Sequence, residues 1–415
     1  MNVLQVFSID SGGAAIAAKR ISAAVEKACD DDVQIRYVAL YGAEKDEYVE
    51  EFVPGKVVKA VAIARKLHEV CLEPKTEKYP GPFSMGTFGV AFSFRAYTEW
   101  ADIIHIHWIN RGFFSLKQLE KLSNCSKPII WTMHDMWAFT GGCHYDGECG
   151  KYRGDCQNCF CICSDKKDLR DIQAYKKSIF QRDNFCFVGC SNWITACARN
   201  STVLRENKRV KCIPNPIDLE AFAPLPEDEV YVVRQMYGIS DKKHIVCFGA
   251  MSSGDKRKGG ELVHKIVSFL PKDQYQLVVF GNCDDRVKYE KYDTVFLGSI
   301  HNSVEMRKIY AMSDVFIAPS VQENLANTVM EALACGTPVV AFDIGGMPDM
   351  IVDRVNGRMV RPFSCSEYAQ AIAEVVACKG MRENARTIVR KKFAEEIIGG
   401  EYYRLYKKMI KEEFV

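Results

Sequence analysis

Glu323 and Glu331 stand eight positions apart in the stretch Met312 to Met350, MSDVFIAPSVQENLANTVMEALACGTPVVAFDIGGMPDM. An ionised carboxylate accepts hydrogen bonds, and a vicinal diol offers it two donors. Glu331 is therefore suited to clamp a ribose, and Glu323 to hold a second set of hydroxyls. The elements that must present them surround them. Val315 to Ala318 is an apolar run short enough for a buried parallel strand. Asn327 reads as an N-cap, Thr328 to Ala334 as a helix that stops at Gly336, and Val339 to Phe342 as the next strand. Both carboxylates then lie at the carboxyl end of a strand, where open α/β sheets bind ligands. The N–H groups at the helix start favour an anion such as a diphosphate. By its spacing alone, the pair reads equally well as two solvated glutamates on a surface helix.

Other residues could serve the same chemistry. Lys256-Arg257-Lys258-Gly259-Gly260 follows the strand His244 to Ala250. Cations beside exposed backbone N–H groups suit a diphosphate leaving group, whose charge grows as a glycosidic bond breaks. Gly12-Gly13 lies between a first strand, Asn2 to Ile9, and a helix, Ala14 to Lys27, whose inner side is Ile16, Ile21, Ala24 and Val25. A glycine pair there lets the backbone approach a ligand closely. His134 follows the strand Ile129 to Met133, and a neutral imidazole can donate one hydrogen bond and accept another. His105 and His107 belong to the strand Asp102 to His107 and read as structural.

Glu323 and Glu331, followed by Ala-Leu-Ala-Cys-Gly-Thr-Pro-Val-Val, resemble the E-x7-E signature of glycosyltransferase family 4. That family usually has Gly-Phe-Gly after the first glutamate, where this chain has Asn324-Leu325-Ala326. Thr132-Met133-His134-Asp135 resembles the family's sugar-contacting histidine. Pro214-Asn215-Pro216-Ile217-Asp218 resembles its P-N-G-[VI]-D segment, Lys258-Gly259 its Lys-Gly, and Gly345 to Asp349 its G-G-x-x-E turn. The arginine usual five residues before the lysine is Ser253 here. The likeness covers nearly the whole chain and is strongest from 245 to 360.

The resemblance implies an α/β protein of the GT-B fold, two doubly wound Rossmann-like domains facing across a cleft. It implies a hexosyltransferase that moves a sugar from a UDP- or GDP-sugar donor to a glycan or lipid-linked acceptor. Anomeric configuration is retained, and no divalent metal serves catalysis. His134 and Glu323 become the candidate catalytic residues at the transferred sugar. Gly12, Gly13, Lys256, Arg257, Lys258, Asn324, Leu325 and Glu331 become the donor-binding set. Expected domains are 1–220, with a cysteine-rich loop at 141–165, and 221–394. Pro224 to Glu229 marks the boundary, and a terminal helix at 395–415 crosses back to the first domain. The alternatives are a nucleotide-sugar epimerase on the same fold and a non-catalytic sugar-nucleotide-binding protein.

The totals agree with such an enzyme. The 415 residues suggest two domains, and 48% hydrophobic with 26% charged residues is ordinary for a globular protein. A net charge of +2 gives no argument for a nucleic-acid partner. No apolar run reaches 18 residues, and the opening MNVLQVFSIDSGG reads as a strand rather than a signal peptide. Eighteen cysteines then argue for reduced thiols and a cytoplasmic protein. Cys143, Cys149, Cys156 and Cys159 are spaced so that they could hold a structural zinc, with packed thiols or disulfides as the other readings. Val57, Val58, Val61, Ile63, Ala64, Leu67 and Val70 carry helical spacing among Lys56, Lys59, Arg65 and Lys66. Such a helix either docks on the inner membrane face or packs on the sheet. Asp30 to Asp32 read as a solvated turn.

Overall fold

The computed structural model describes residues 1–29, 33–42, 49–53, 55–72, 81–90, 94–163, 168–250, 256–283, 286–378 and 380–412. Asp30 to Asp32, Ser253, residues 164–165 and the side chain of Lys56 lie outside the described residues. The chain divides into one unit of Met1–Pro216 with Glu395–Val415, and a second of Ile217–Ala394.

The first unit is a seven-stranded sheet of β1 (Asn2–Ile9), β2 (Gln34–Tyr41), β3 (Val49–Glu51), β4 (Ile103–Ile106), β5 (Ile129–Met133), β6 (Phe185–Gly189) and β7 (Val210–Cys212). The order is β3-β2-β1-β4-β5-β6-β7, and neighbouring strands are parallel. The direction of winding reverses between β1 and β4, the place where a doubly wound sheet opens a crevice. β5 and β6 are buried at every position, which is why they read as unbroken apolar runs. Trp131, Phe180, Phe185 and Phe187 stack among themselves in the core beneath them.

Two helices cover the β1–β4 face. Gly13–Ala28 buries Ala15, Ala17, Ala18, Ile21, Ser22, Ala24 and Val25. Ile16 was expected inside and is 42% exposed. It lies five residues from Ile21, about 140° around the helix, so it cannot share that face. The terminal helix Glu395–Lys411 packs beside the first helix and buries Ile398, Tyr402, Leu405, Tyr406 and Met409 with Val3, Ile21, Ile103 and Ile130.

The helix Gly55–Leu72 behaves differently. It buries Val61, while Val57, Ile63, Leu67 and Val70 are 44–65% exposed. With exposed Ala60 and Ala64 they fill one arc of about 140°. Exposed Lys59 and Lys66 border that arc. Among the described residues, no helix is long and apolar enough to cross a membrane.

The second unit repeats the plan with β8 (His244–Ala250), β9 (Tyr275–Gly281), β10 (Thr294–Gly298), β11 (Val315–Ala318), β12 (Val339–Phe342) and β13 (Gly357–Val360). The order β10-β9-β8-β11-β12-β13 is parallel throughout and reverses between β8 and β11. The units divide at Pro216, and Glu227 already begins a helix, Glu227–Met236, so the acidic stretch after Pro224 is partly helical rather than all linker.

Candidate functional site

In the second unit, three segments meet at the carboxyl end of β11. Gly259 has φ +69, and a Cβ there would lie 1.8 Å from the Pro319 carbonyl oxygen. Only glycine lets the basic turn Lys256–Lys258 come this close to the strand end. The Arg257 carbonyl also accepts from the Val321 N–H at 2.7 Å. On the other side, Gly345 has φ +51, and a Cβ there would lie 1.9 Å from the Glu323 carbonyl oxygen. The Gly346 N–H donates to that same oxygen at 3.2 Å. Glu323 is thus held by its backbone from both directions.

The side chains follow. The Lys258 ammonium pairs with Glu323 Oε2, and the Asn324 N–H donates to Glu323 Oε1 at 3.1 Å. Tyr310 donates its hydroxyl proton to Glu331 Oε2 at 3.0 Å. Glu323 and Glu331 are only 7% and 8% exposed, and carboxylates this buried need such partners. Burial first, and the Glu331 charge second, push the Tyr310 hydroxyl well above its ordinary range, so it remains a donor. Asn324 and Leu325 are buried in the same loop, Arg257 is half-buried, and Lys256 is exposed.

One expectation is corrected. Asn327 is not the N-cap. Ala326 occupies that position with extended backbone (φ −76, ψ 113), and Asn327 is already helical in Asn327–Ala334. No side chain caps this helix, and Glu331 is its fifth residue. The first-turn N–H groups are therefore not satisfied by a cap, which leaves an anion a role there.

In the first unit, Gly12 (φ +81) precedes the helix Gly13–Ala28, again with no side-chain cap. A side chain at Gly12 would meet nothing within 4 Å, so the turn is open. Asp10, which the sequence reading passed over, is buried beneath it and paired with Lys19 at 2.7 Å. The pairing keeps a carboxylate at this turn from repelling an anion.

His134 leaves β5 partly exposed, and its Nε2 lies 3.0 Å from His107 Nδ1. His107 Nε2 lies 2.8 Å from Gln5 Oε1. His105 bridges Tyr406 (2.7 Å) and Thr132 (2.8 Å), and Thr132 meets Tyr402 at 3.0 Å. Asp135 accepts from Trp108 Nε1 (2.8 Å), the Trp137 N–H (2.9 Å) and His144 Nδ1 (2.6 Å). Burial alone would push the Asp135 carboxyl up, but His144 and these donors outweigh it and hold it below its usual range.

Burial lowers His134 to about 4 and, with the neighbouring His134 ring, His105 to about 3; it drives His107 well below its usual value. The ordinary value is 6.5. Between 6.5 and these folded values the unfolded chain binds more protons, so stability rises with pH across that window and is level above it. The thermal midpoint should accordingly fall as pH drops from 6.5 to 5, where ordinary carboxylates, titrating near 4, remain ionised. A midpoint unchanged over that interval would contradict the buried neutral histidines.

The expected zinc ligands lie in the cysteine loop with unequal exposure. Cys143, Cys156 and Cys159 are buried with Cys161, Phe83, Met85, Ile162 and Leu169, while Cys149 is exposed. Among the described residues, no group of three or more His, Cys, Asp or Glu side chains is placed to hold a metal ion, and no cysteine is in a disulfide. The thiols are nevertheless neighbours: Cys161 is in hydrogen-bond contact with Cys143 and Cys159, and Cys143, Cys149 and Cys159 all act on Cys156, so a structural zinc on Cys143, Cys149, Cys156 and Cys159 stays a proposal.

Residues 242–378 match the family described as glycosyl transferases group 1. An uncharacterized glycosyltransferase of Methanocaldococcus jannaschii is 31% identical over 48% of this chain and 54% of its own length. The alpha-galactosylglucosyldiacylglycerol synthase of Streptococcus pneumoniae is 29% identical over 46% of this chain and 53% of its own. The chain thus spans about half the length of these two relatives. Among solved structures, Anabaena HepE in complex with UDP superposes with a TM-score of 0.67 at 16% identity, covering 98% of this chain and 100% of that one. The parallel sheets, their reversal points and these likenesses lead to one conclusion: the chain has the GT-B fold, and within its second unit residues 242–378 resemble glycosyl transferases group 1.

Proposed function

We propose that the chain is a retaining hexosyltransferase of glycosyltransferase family 4. It would move a sugar from a UDP- or GDP-sugar to a hydroxyl of a glycan or lipid-linked acceptor in surface-polysaccharide synthesis. The observation that carries this reading is the arrangement at the end of β11: Lys258 on Glu323, and Glu331 held by Tyr310 at an uncapped helix start. Lys258, with Lys256 and Arg257, meets the diphosphate, as do the N–H groups that open Asn327–Ala334; in the first unit, the open Gly12-Gly13 turn offers N–H groups suited to the same kind of anion. Glu331 accepts from the ribose hydroxyls. Glu323 binds the transferred sugar, Asn324 and Leu325 shape the loop beside it, and in the first unit His134 is the residue suited to a sugar hydroxyl.

In the reaction the bond from the sugar's anomeric carbon to the diphosphate oxygen breaks. The acceptor oxygen attacks from the same face, and its proton passes to the departing phosphate. The growing leaving-group charge is met by fixed cations and N–H dipoles, where preorganised electrostatics has its largest effect. A relative named for galactosylglucosyldiacylglycerol synthesis and a structural neighbour holding UDP support a nucleotide donor and a membrane-bound acceptor. A thermal-shift screen of UDP-glucose, GDP-mannose and ADP-glucose tests the donor, since a ligand bound to the folded state raises the midpoint. No shift with any of the three would count against the donor assignment.

A cytoplasmic enzyme docking on the inner membrane face fits the exposed arc of Gly55–Leu72. Val57, Ile63, Leu67 and Val70 would enter the interface, and Lys59 and Lys66 would meet anionic headgroups. Each lysine adds about 1 kcal/mol near such a surface. The protein should co-sediment with phosphatidylglycerol vesicles at low salt, and Leu67→Asp should abolish this. Wild-type protein left in the supernatant would refute the docking.

A further inference from the structure

The cysteine loop of the first unit is a cluster of reactive side chains that the transferase reading leaves unused. Cys143, Cys156, Cys159 and Cys161 are buried in it, and Cys149 is exposed. The apolar side chains buried with them are few: Phe83, Met85, Ile162 and Leu169. Between Cys143 and Cys163, regular structure is limited to one turn of helix, Lys151–Arg153. Glu148 and Asn158 hold positive φ, a conformation that costs residues other than glycine. A loop with so little core and so much turn needs another fastener.

Backbone N–H groups point at three of the sulfurs. The Lys151 N–H donates to Cys149 Sγ, the Gly141 N–H to Cys156 Sγ, and the Cys161 and Ile162 N–H groups to Cys159 Sγ. Cys143 Sγ is hydrogen-bonded to the Cys161 thiol, which also meets Cys159. Cys143 and Cys159 lie close enough to act electrostatically on both Cys149 and Cys156. The Lys151 ammonium, which acts on Cys159, donates to the Gln157 and Asn158 carbonyls at 2.7 and 3.1 Å. Donors and cations so placed favour thiolates, the form in which cysteine binds zinc. Burial still pushes the Cys156 thiol up to about 12, so an ion arriving there has to displace its proton, as zinc does.

We propose that this loop binds one structural zinc ion through Cys143, Cys149, Cys156 and Cys159, with Cys161 behind them as a hydrogen-bond donor and not a ligand. The hydrogen bonds make the distinction. Each of the four ligand sulfurs has a donor, whereas Cys161 has a single S–H proton to give to Cys143 or Cys159. As the side chains stand, no three of the described His, Cys, Asp or Glu groups share a metal-binding point. Closure to zinc–sulfur bonds of about 2.3 Å therefore draws the buried three together and turns exposed Cys149 inward. The ion also reaches the strand end. Cys143 precedes His144, whose Nδ1 donates to Asp135 at 2.6 Å and whose carbonyl accepts the Met136 N–H at 2.9 Å. Fastening Cys143 thus fastens the segment that follows His134.

The intact protein, purified under reducing conditions, is analysed for metals by mass spectrometry and then titrated with cobalt(II). Cobalt absorption reports tetrahedral geometry and the number of bound thiolates. The expected results are one zinc per chain and a four-thiolate cobalt spectrum. Cys149→Ser, at an exposed position, should convert it to a three-thiolate spectrum. Cys161→Ala should keep four thiolates and weaken cobalt binding about 10- to 100-fold, as the loss of an outer hydrogen bond does. Chelation should lower the thermal midpoint of the wild type, because an ion bound to the folded state raises it. Wild-type protein that neither contains zinc nor gives a tetrahedral cobalt spectrum overturns the proposal. So does a cobalt spectrum unaltered in Cys149→Ser, or a thiolate lost in Cys161→Ala. None of these readings uses turnover, so they stand apart from the transferase assignment.

Discussion

Replacing Glu331 by alanine should raise the dissociation constant for the donor nucleotide about 10- to 150-fold, the worth of a charge-assisted hydrogen-bond pair at about 1.5–3 kcal/mol. The large value follows from how the carboxylate is held. It is the fifth residue of its helix and only 8% exposed, and Tyr310 fixes one of its oxygens at 3.0 Å. Its desolvation has already been met in folding, and its direction is set, so little of the interaction is lost to ordering when a ribose arrives. Isothermal titration with UDP and with GDP measures the effect. Unchanged affinity for both nucleotides, in a variant with a wild-type melting profile, would remove Glu331 from the ribose.

Gly345→Ala should lower turnover about 100-fold, because a displacement of about 1 Å at a site can cost that much. The substituted residue would have to keep φ +51, which costs a non-glycine residue about 1–2 kcal/mol. Its Cβ would also meet the Glu323 carbonyl oxygen at 1.9 Å. Backbone must therefore move, and the carbonyl that moves belongs to the residue paired with Lys258. Gly380→Ala is the comparison. Its φ of −69 and ψ of −15 suit alanine, and its Cβ would meet nothing within 4 Å. Turnover in Gly345→Ala equal to that in Gly380→Ala would show that the Glu323 loop tolerates the shift.

Much of the frame could be read from local pattern. β5, β8, β11 and β12 appear in the sequence with the bounds they have in the structure, because buried parallel strands are contiguous apolar runs. β3, three residues at a sheet edge with two exposed glutamates, carries no such pattern. Nor does β13, which begins at Gly357 and has a half-buried middle. Ile16 misled because any isoleucine in an amphipathic helix invites an inward reading, whereas alanines line the actual contact. Asn327 misled by residue type, since N-cap preference says nothing of which residue first turns helical.

The candidate site divides in the same way. Glu323, Glu331 and Lys258 stood out by residue type and by the resemblance of their motifs to a known family, since spacing alone left the glutamates readable as solvated. Their partners were not. Tyr310 reaches Glu331 from another element, and Gln5 meets His107 across 102 positions of sequence. Only tertiary packing, of helix on helix for Tyr310 and of strand beside strand for Gln5, brings such pairs together, and a single sequence carries no signal for it. The cysteine loop was legible as a cluster but not in its packing. Its spacing suggests ligands, but tertiary packing buries three of the four thiols among apolar side chains and leaves Cys149 exposed.

The central claim is sugar transfer with retention, and a proton NMR time course tests it most directly. UDP-glucose, UDP-galactose and GDP-mannose are each incubated with the protein, alone and with a bacterial lipid and polysaccharide extract. The account predicts that a donor is consumed only when the extract is present. Free nucleoside diphosphate should appear with a new glycosidic anomeric signal of the donor's own configuration, and Glu331→Ala should suppress both. Conversion of a nucleotide sugar to another sugar nucleotide without extract would instead indicate an epimerase. A product of inverted configuration, or binding with no turnover under any condition, would likewise contradict the account.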